Sequence, residues 1–363
     1  MQLGKPLTAS EQSICILRLS AIGDVCHAVA TVQAIQRHYP ATHITWIVGK
    51  VEAMLLANLP GIELVVFDKN LGMKAFSDLK NKLKGRKFDV LLHMQVALRA
   101  NIASLAINAK RKIGFDKARS KELHSLFMRE RVVPQNQAHV LENFAGFARH
   151  IGVPFLTTTN EKPNWRMPLA ETDIQWARNL LKPFRELGQQ RFLVISPAAS
   201  KAERNWLPER YAAIADYASE QGFQVVLCGG PSAMETQLRD DILKHTQANI
   251  LDVVGKTSLK QLLALLQQAS LVIAPDTGPA HMAVTVGTPV IGLYGHSNPA
   301  RTGPYLYQHY VVEAYYQELQ RQTGKTVAEL PFGTRVKGEH IMANISVNAV
   351  KAMFDKVIKE ENL

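Results

Sequence analysis

The chain has 363 residues, 47% hydrophobic and 20% charged, with Gly and Pro spread along its length, which excludes a disordered chain and favours two globular domains. A total of 42 Lys and Arg against 31 Asp and Glu leaves a net charge of +11, so an anionic partner is expected: phosphate, nucleic acid or membrane headgroups. Cys15, Cys26 and Cys228 are odd in number and lack metal-ligand spacing, which predicts free thiols in a reducing cytoplasm and no disulfide.

The opening "MQLGKPLTASEQ" has no apolar signal-peptide core. No later run reaches the roughly 18 to 20 apolar residues of a membrane span, so any membrane contact is expected to be peripheral. "SICILRL" reads as a strand, residues 25 to 39 as a helix stopped by Pro40, and "HITWIVG" as the next strand. "VEAMLLANL" follows as a helix, then "GIELVVFD" and "FDVLLHM" as strands. Residues 156–173, rich in Thr, Asn and Pro, break the pattern as a connection between domains would. Beyond them "RFLVISP", "FQVVLCGG", "ILDVVG", "LVIAPD" and "PVIGLYG" predict five strands, with helices over 208–221, 232–246 and 258–269. A last helix over 346–358 has no evident packing partner.

Alternation of this kind predicts an α/β protein with two doubly wound parallel sheets, 1–170 and 171–345, followed by the helical tail 346–363. Ligands of such sheets bind beyond the carboxyl ends of the strands, which puts the search in the strand-to-helix loops. In "RLSAIGDVCHAVATV", Asp24 either caps the following helix or holds a proton-accepting carboxylate. "AASKAERNWLPERYA" places Ser200, Lys201 and Arg204 in such a loop, where the cations are either solvated or neutralise phosphate oxygens. In "APDTGPAHMAV", Asp276, Thr277 and Gly278 precede a helix with Pro279 in its first turn. They either cap that helix or leave its backbone N–H groups open to an anion, with His281 as support. A segment crowded with Lys and Arg, 108–132, makes a second anion-binding face; without interleaved aromatics or a nucleic-acid-binding motif, nucleic acid is not the expected partner. The P-loop and dinucleotide fingerprints are missing, as are a zinc-type cluster and a nucleophile elbow.

Three stretches in order, "RLSAIGDVCHAVATVQAIQRHYP", "SPAASKAERNWLPERYA" and "APDTGPAHMAVTVGTPVIGLYG", resemble glycosyltransferase family 9, the ADP-heptose:lipopolysaccharide heptosyltransferases of Gram-negative bacteria. The resemblance covers most of the chain and implies a GT-B fold, two Rossmann-like domains facing across a cleft. It assigns the acceptor to the N-terminal domain and the nucleotide-sugar to the C-terminal one. An inverting transfer without metal or other cofactor is implied, with Asp24 as base. Donor contacts fall on Ser200, Lys201, Arg204, Asp276, Thr277, Gly278 and His281, with Glu235 at the ribose; Arg204 stands where the family often has Lys. Arg119 and Lys121 resemble acceptor-facing positions. The implied acceptor is the Kdo region of lipid A-linked inner core, reached by peripheral contact with the cytoplasmic face of the inner membrane. First-heptose enzymes are the most similar subgroup, and the tail "GTRVKGEHIMANISVNAV" resembles members acting on phosphorylated Kdo. A later heptose, another nucleotide-sugar, or a non-catalytic nucleotide- or glycolipid-binding module are the alternatives.

Overall fold

The computed structural model describes residues 4–120, 124–135, 138–158 and 160–363. It divides into two compact units, Met1–Pro168 and Leu169–Leu363.

In the first unit, β1 (Ser13–Leu17), α1 (Ile22–His38), β2 (His43–Gly49), α2 (Lys50–Leu56) and β3 (Ile62–Phe67) are followed by α3 (Lys74–Lys82) and β4 (Phe88–His93). Then come α4 (Leu98–Ala103), β5 (Ala109–Gly114), α5 (His124–Phe127), β6 (Glu130–Arg131) and α6 (Val140–His150). The strands lie in the order β3-β2-β1-β4-β5-β6, all parallel. Continuous apolar runs such as Ile14–Leu17 and Val90–Leu92 form the central strands because both sheet faces are covered, leaving these side chains with no exposure. α1 buries every residue from Val25 to Ile35, and it packs against α6.

The second unit contains α7 (Glu171–Glu186), β7 (Arg191–Ile195), α8 (Pro208–Glu220), β8 (Phe223–Leu227), α9 (Ala233–His245) and β9 (Leu251–Asp252). It continues with α10 (Leu259–Gln268), β10 (Leu271–Pro275), α11 (Gly278–Thr285), β11 (Val290–Tyr294), α12 (Pro299–Thr302), β12 (Val311–Glu313), α13 (Tyr315–Thr323) and α14 (Val347–Glu361). Its parallel sheet runs β12-β11-β10-β7-β8-β9, which is the first unit's order read from the other edge. The tail helix α14 belongs to this unit: Val350, Phe354 and Val357 enter the core that holds Leu193, Ile214 and Phe223. Burying Phe354 alone contributes roughly 2–3 kcal/mol.

Several elements differ from their sequence-based expectation. The basic segment contains two strands, β5 and β6, whose charged side chains pair across the sheet edge: Arg111 binds Glu130 through two hydrogen bonds of 2.9 and 2.8 Å. "ILDVVG" yields only a two-residue strand, and β12 supplies a sixth strand that lacks a long apolar run. The irregular connection ends early, because α7 starts at Glu171. Within it, Trp165 Nε1 donates to Cys26 O at 2.8 Å, and Gln33 both donates to Arg166 O and accepts from Arg166 N at 2.9 Å. Among the described residues no helix is long and apolar enough to cross a membrane.

Candidate active site

Each sheet, taken by itself, reverses its winding between its first and fourth strands, at β1/β4 in the first unit and at β7/β10 in the second, and in each unit the loops following those strands are where open α/β sheets bind ligands. The four loops carry Asp24, Gln95, Arg204 and Asp276.

In the first unit, the chain leaves β1 at Leu17 and enters α1 at Ile22. Asp24 sits in the first turn and its Oδ2 accepts from Ala21 N at 3.4 Å, a capping contact near the hydrogen-bond limit. The same oxygen forms an ion pair with Arg18. No hydrogen bond engages Oδ1 among the described residues, and the side chain is one third exposed. Capping therefore occupies one oxygen and leaves the other open to solvent.

Arg18 is fixed from two further sides. Its Nη1 donates to Met94 O at 2.7 Å, and its guanidinium lies 5.1 Å from the centre of the Phe144 ring. Gln95 Oε1 accepts from Leu19 N at 2.7 Å, so the segment after β4 holds the loop after β1 by both backbone and side chain. Gly49, after β2, completes the support: its N–H donates to Leu19 O at 2.8 Å, and a Cβ there would fall 2.4 Å from both Leu19 O and Glu52 Oε2. Burial raises the pKa of the Glu52 carboxyl, an effect that nearby Lys69 and Arg18 oppose without cancelling.

In the second unit, the loop after β7 is shaped by Asn205, whose Oδ1 accepts from Ala199 N at 2.7 Å. It is anchored by Trp206, 1% exposed, whose Nε1 donates to Ile345 O at 3.0 Å. Ser200 and Lys201 are exposed, and Lys201 lies 3.8 Å from Glu203. Arg204 is half-buried, and its Nε is buried with no hydrogen-bond partner among the described residues.

The guanidinium of Arg204 acts on Asp276, in the loop after β10. Burial would raise the Asp276 pKa, but His281, the nearby Ser297 hydroxyl and the Arg204 charge together hold it below the usual aspartate value. His281 Nε2 lies 3.7 Å from Asp276 Oδ1. Thr277 is extended and makes no side-chain cap to α11, so Asp276 and Thr277 leave the helix's first N–H groups uncapped by side chains. Gly278 and Pro279 then open the helix.

The structure thus gathers Arg204, Asp276 and His281, and adds Ser297. Glu235 is occupied locally: it accepts from Gly230 N at 2.7 Å and Ser232 Oγ at 2.6 Å, capping the start of α9. Arg119 is committed inside the first unit, where it pairs with Asp116 and Asn143 and donates to Val133 O at 3.2 Å. Lys121 lies outside the described residues. Among the described residues no group of three His, Cys, Asp or Glu side chains is placed to hold a metal ion. Arg18, Gln95, Glu52 and Ser297 are absent from the residues singled out by sequence; the one signal for the first two is their position just after a strand at the winding reversal.

A family model described as glycosyltransferase family 9 (heptosyltransferase) matches residues 76–330. The chain is 43% identical over 350 residues to the lipopolysaccharide core heptosyltransferase OpsX of Haemophilus influenzae, covering 96% of this chain and 98% of that protein. It is 24% identical over 287 residues to lipopolysaccharide heptosyltransferase 3 of Escherichia coli, covering 75% and 79%. Among solved structures, a family 9 glycosyltransferase from Veillonella parvula superposes with a TM-score of 0.77 at 21% identity, covering 99% of both chains. The E. coli ADP-heptose LPS heptosyltransferase II superposes with a TM-score of 0.70 at 19% identity, over 97% of this chain and 100% of that one.

Proposed function

Because the chain belongs to glycosyltransferase family 9, the heptosyltransferases, we propose that it moves a heptose from ADP-heptose to the Kdo region of a lipopolysaccharide inner core, with inversion. The observation that carries this reading is Asp24, whose Oδ2 is held by Arg18 and Ala21 while Oδ1 is left open. An ionised carboxylate held at one oxygen is oriented to take a proton at the other. The acceptor hydroxyl gives its proton to Oδ1 as its oxygen bonds to the anomeric carbon. The bond from that carbon to the diphosphate oxygen breaks on the opposite face, and ADP leaves with the electron pair.

The second unit is read as the donor side. Arg204, with its orphaned buried Nε, and the neighbouring Lys201 and Ser200 meet the diphosphate charge together with the N–H groups that open α11 at Thr277 and Gly278. Asp276, kept ionised and oriented by His281, accepts from heptose hydroxyls. Glu235 retains lone pairs for ribose hydroxyls beyond the two contacts it already accepts. On this reading no metal is required, and transfer persists in a chelator. Acceptor recognition falls to the basic N-terminal segment, with Lys121 as a contact and Arg119 bracing the surrounding loop. The lipid part of the acceptor brings the enzyme to the cytoplasmic face of the inner membrane.

The test is a mass-spectrometric transfer assay with ADP-heptose and two heptose-free acceptors, one with phosphorylated Kdo and one without, using wild type and Asp24→Asn. Transfer by wild type and a loss of about 10²–10⁴ in the variant supports the base role. Equal turnover by Asp24→Asn refutes it. Transfer to neither of these but to a third acceptor that already carries a heptose replaces the Kdo reading with a later position.

A further inference from the structure

The net charge of the chain is concentrated in one segment. Residues 69–131 hold 16 Lys and Arg against five Asp and Glu, which accounts for the whole +11, while the remaining 300 residues balance to zero. The same segment supplies six of the twelve large hydrophobic side chains that stand exposed among the described residues.

Their placement is ordered. Leu98 and Ile102 on α4 and Leu105 in the turn that follows are spaced i, i+4, i+7, so they share one helical face. They are 46%, 36% and 67% exposed, whereas Ala100, Asn101 and Ala103 on the other face are buried. α3 and α5 both touch α4. Met73, beside the start of α3, is 79% exposed, and Leu126 on α5 is 77% exposed. Lys74, Arg99 and Arg129, on or next to these same helices, are exposed and make no ion pair among the described residues. The described acids of the segment are already matched: Asp78 with Lys82, Asp89 with Lys110, Asp116 with Arg119 and Glu130 with Arg111.

We infer that the α3–α4–α5 face of the first unit docks on an anionic lipid bilayer, the aliphatic side chains entering the headgroup boundary and the cations meeting headgroup phosphates. Aliphatic tips ringed by uncompensated Lys and Arg fit that surface better than two other occupants. Nucleic-acid strands are held by stacking aromatics, and the exposed side chains here are Leu, Ile and Met. A twofold contact between copies would bring the Lys74, Arg99 and Arg129 charges of one face against the same charges of the other. The inference deepens the reading of a lipid-linked acceptor by naming the surface that meets the lipid.

The test needs no acceptor. The full chain is sedimented with vesicles of phosphatidylcholine alone and of phosphatidylcholine with added phosphatidylglycerol, at low and high salt. Retention by the anionic vesicles should exceed retention by the neutral ones by about tenfold or more and fall with salt. The pair Leu105→Ser and Leu126→Ser, and separately Lys74→Glu with Arg99→Glu, should each reduce it by about tenfold, with melting temperatures unchanged because these side chains are exposed. Wild type that ignores anionic vesicles, or variants retained as well as wild type, would overturn the inference. So would a concentration-dependent dimer that Leu105→Ser dissolves, which would give the face to a second copy. Transfer to a deacylated, soluble acceptor keeps the two readings apart. A chain that binds vesicles but transfers nothing refutes the reaction; one that transfers but binds no vesicle refutes the docking face.

Discussion

Replacing Arg18 with Met keeps much of the side-chain volume and removes three interactions at once. The carbonyl of Met94, a fully buried residue, loses its 2.7 Å donor, at a cost of about 1–3 kcal/mol. Loss of the cation over the Phe144 ring costs about 0.5–2 kcal/mol. The ion pair with Asp24, one third exposed to solvent, adds about 0–1 kcal/mol. The expected destabilisation is therefore roughly 1.5–6 kcal/mol, read as a lower urea midpoint for the transition that unfolds the first unit. Turnover should fall more than donor KM changes, because Asp24 loses the partner that fixes Oδ2. Arg18→Lys is the informative control. It restores the charge but cannot place a planar fork between Met94 O and Asp24, so stability should recover partly and kcat should not. Arg18→Met with under about 1 kcal/mol lost and wild-type kcat would refute the positioning argument. Wild-type kcat in Arg18→Lys would show that charge alone suffices.

Gln95→Ala should leave Leu19 N without its acceptor and lower kcat at unchanged donor KM, by an amount that Gln95→Glu partly restores; steady-state kinetics with both substrates varied checks it. Asp276→Ala should impair use of ADP-heptose more than binding of free ADP, measured by calorimetry beside turnover; an equal loss in both would leave Asp276 only a structural support of its loop. Burial holds His124 neutral by lowering its pKa from 6.5 to about 4. Above pH 6.5 neither folded nor unfolded chain is protonated there, and between 6.5 and about 4 only the unfolded chain takes up the proton. His124 alone should therefore cost the first unit up to about 3 kcal/mol as pH falls through that window, and His124→Gln should lessen the dependence, with buried His93, its pKa lowered likewise, keeping the remainder. Urea unfolding at pH 7 and pH 5 reads the difference.

Much of this architecture is legible because buried parallel strands leave continuous apolar runs: Ile14–Leu17, Val194–Ile195 and Leu271–Ala274 all sit where such runs predict. Where charge covers a strand the signal fails. β5 reads "AKRKIG", and its strand character rests on neighbours β4 and β6 that supply Asp89 and Glu130 for Lys110 and Arg111. The same limit governs the site. Asp24 and Asp276 stand out within short motifs, whereas Arg18 and Leu19 meet Met94 and Gln95 across 76 residues of sequence, a pairing that only the strand order creates. Glu235 illustrates the converse. A carboxylate near a Gly-Gly loop invites a ligand role, yet a local capping pattern also accounts for its two hydrogen bonds.

The three thiols, Cys15, Cys26 and Cys228, are free and fully buried, and burial raises the pKa of each, that of Cys228 to about 12. The thiolate is the species that alkylating reagents capture, so the native chain is close to inert toward maleimides while folded. A single cysteine introduced at exposed Leu105 would then be the one position to take a fluorophore, with every native residue but that leucine retained. Its emission would report immersion depth on vesicles directly, and the rate at which the native thiols become reactive would time the opening of each unit's core.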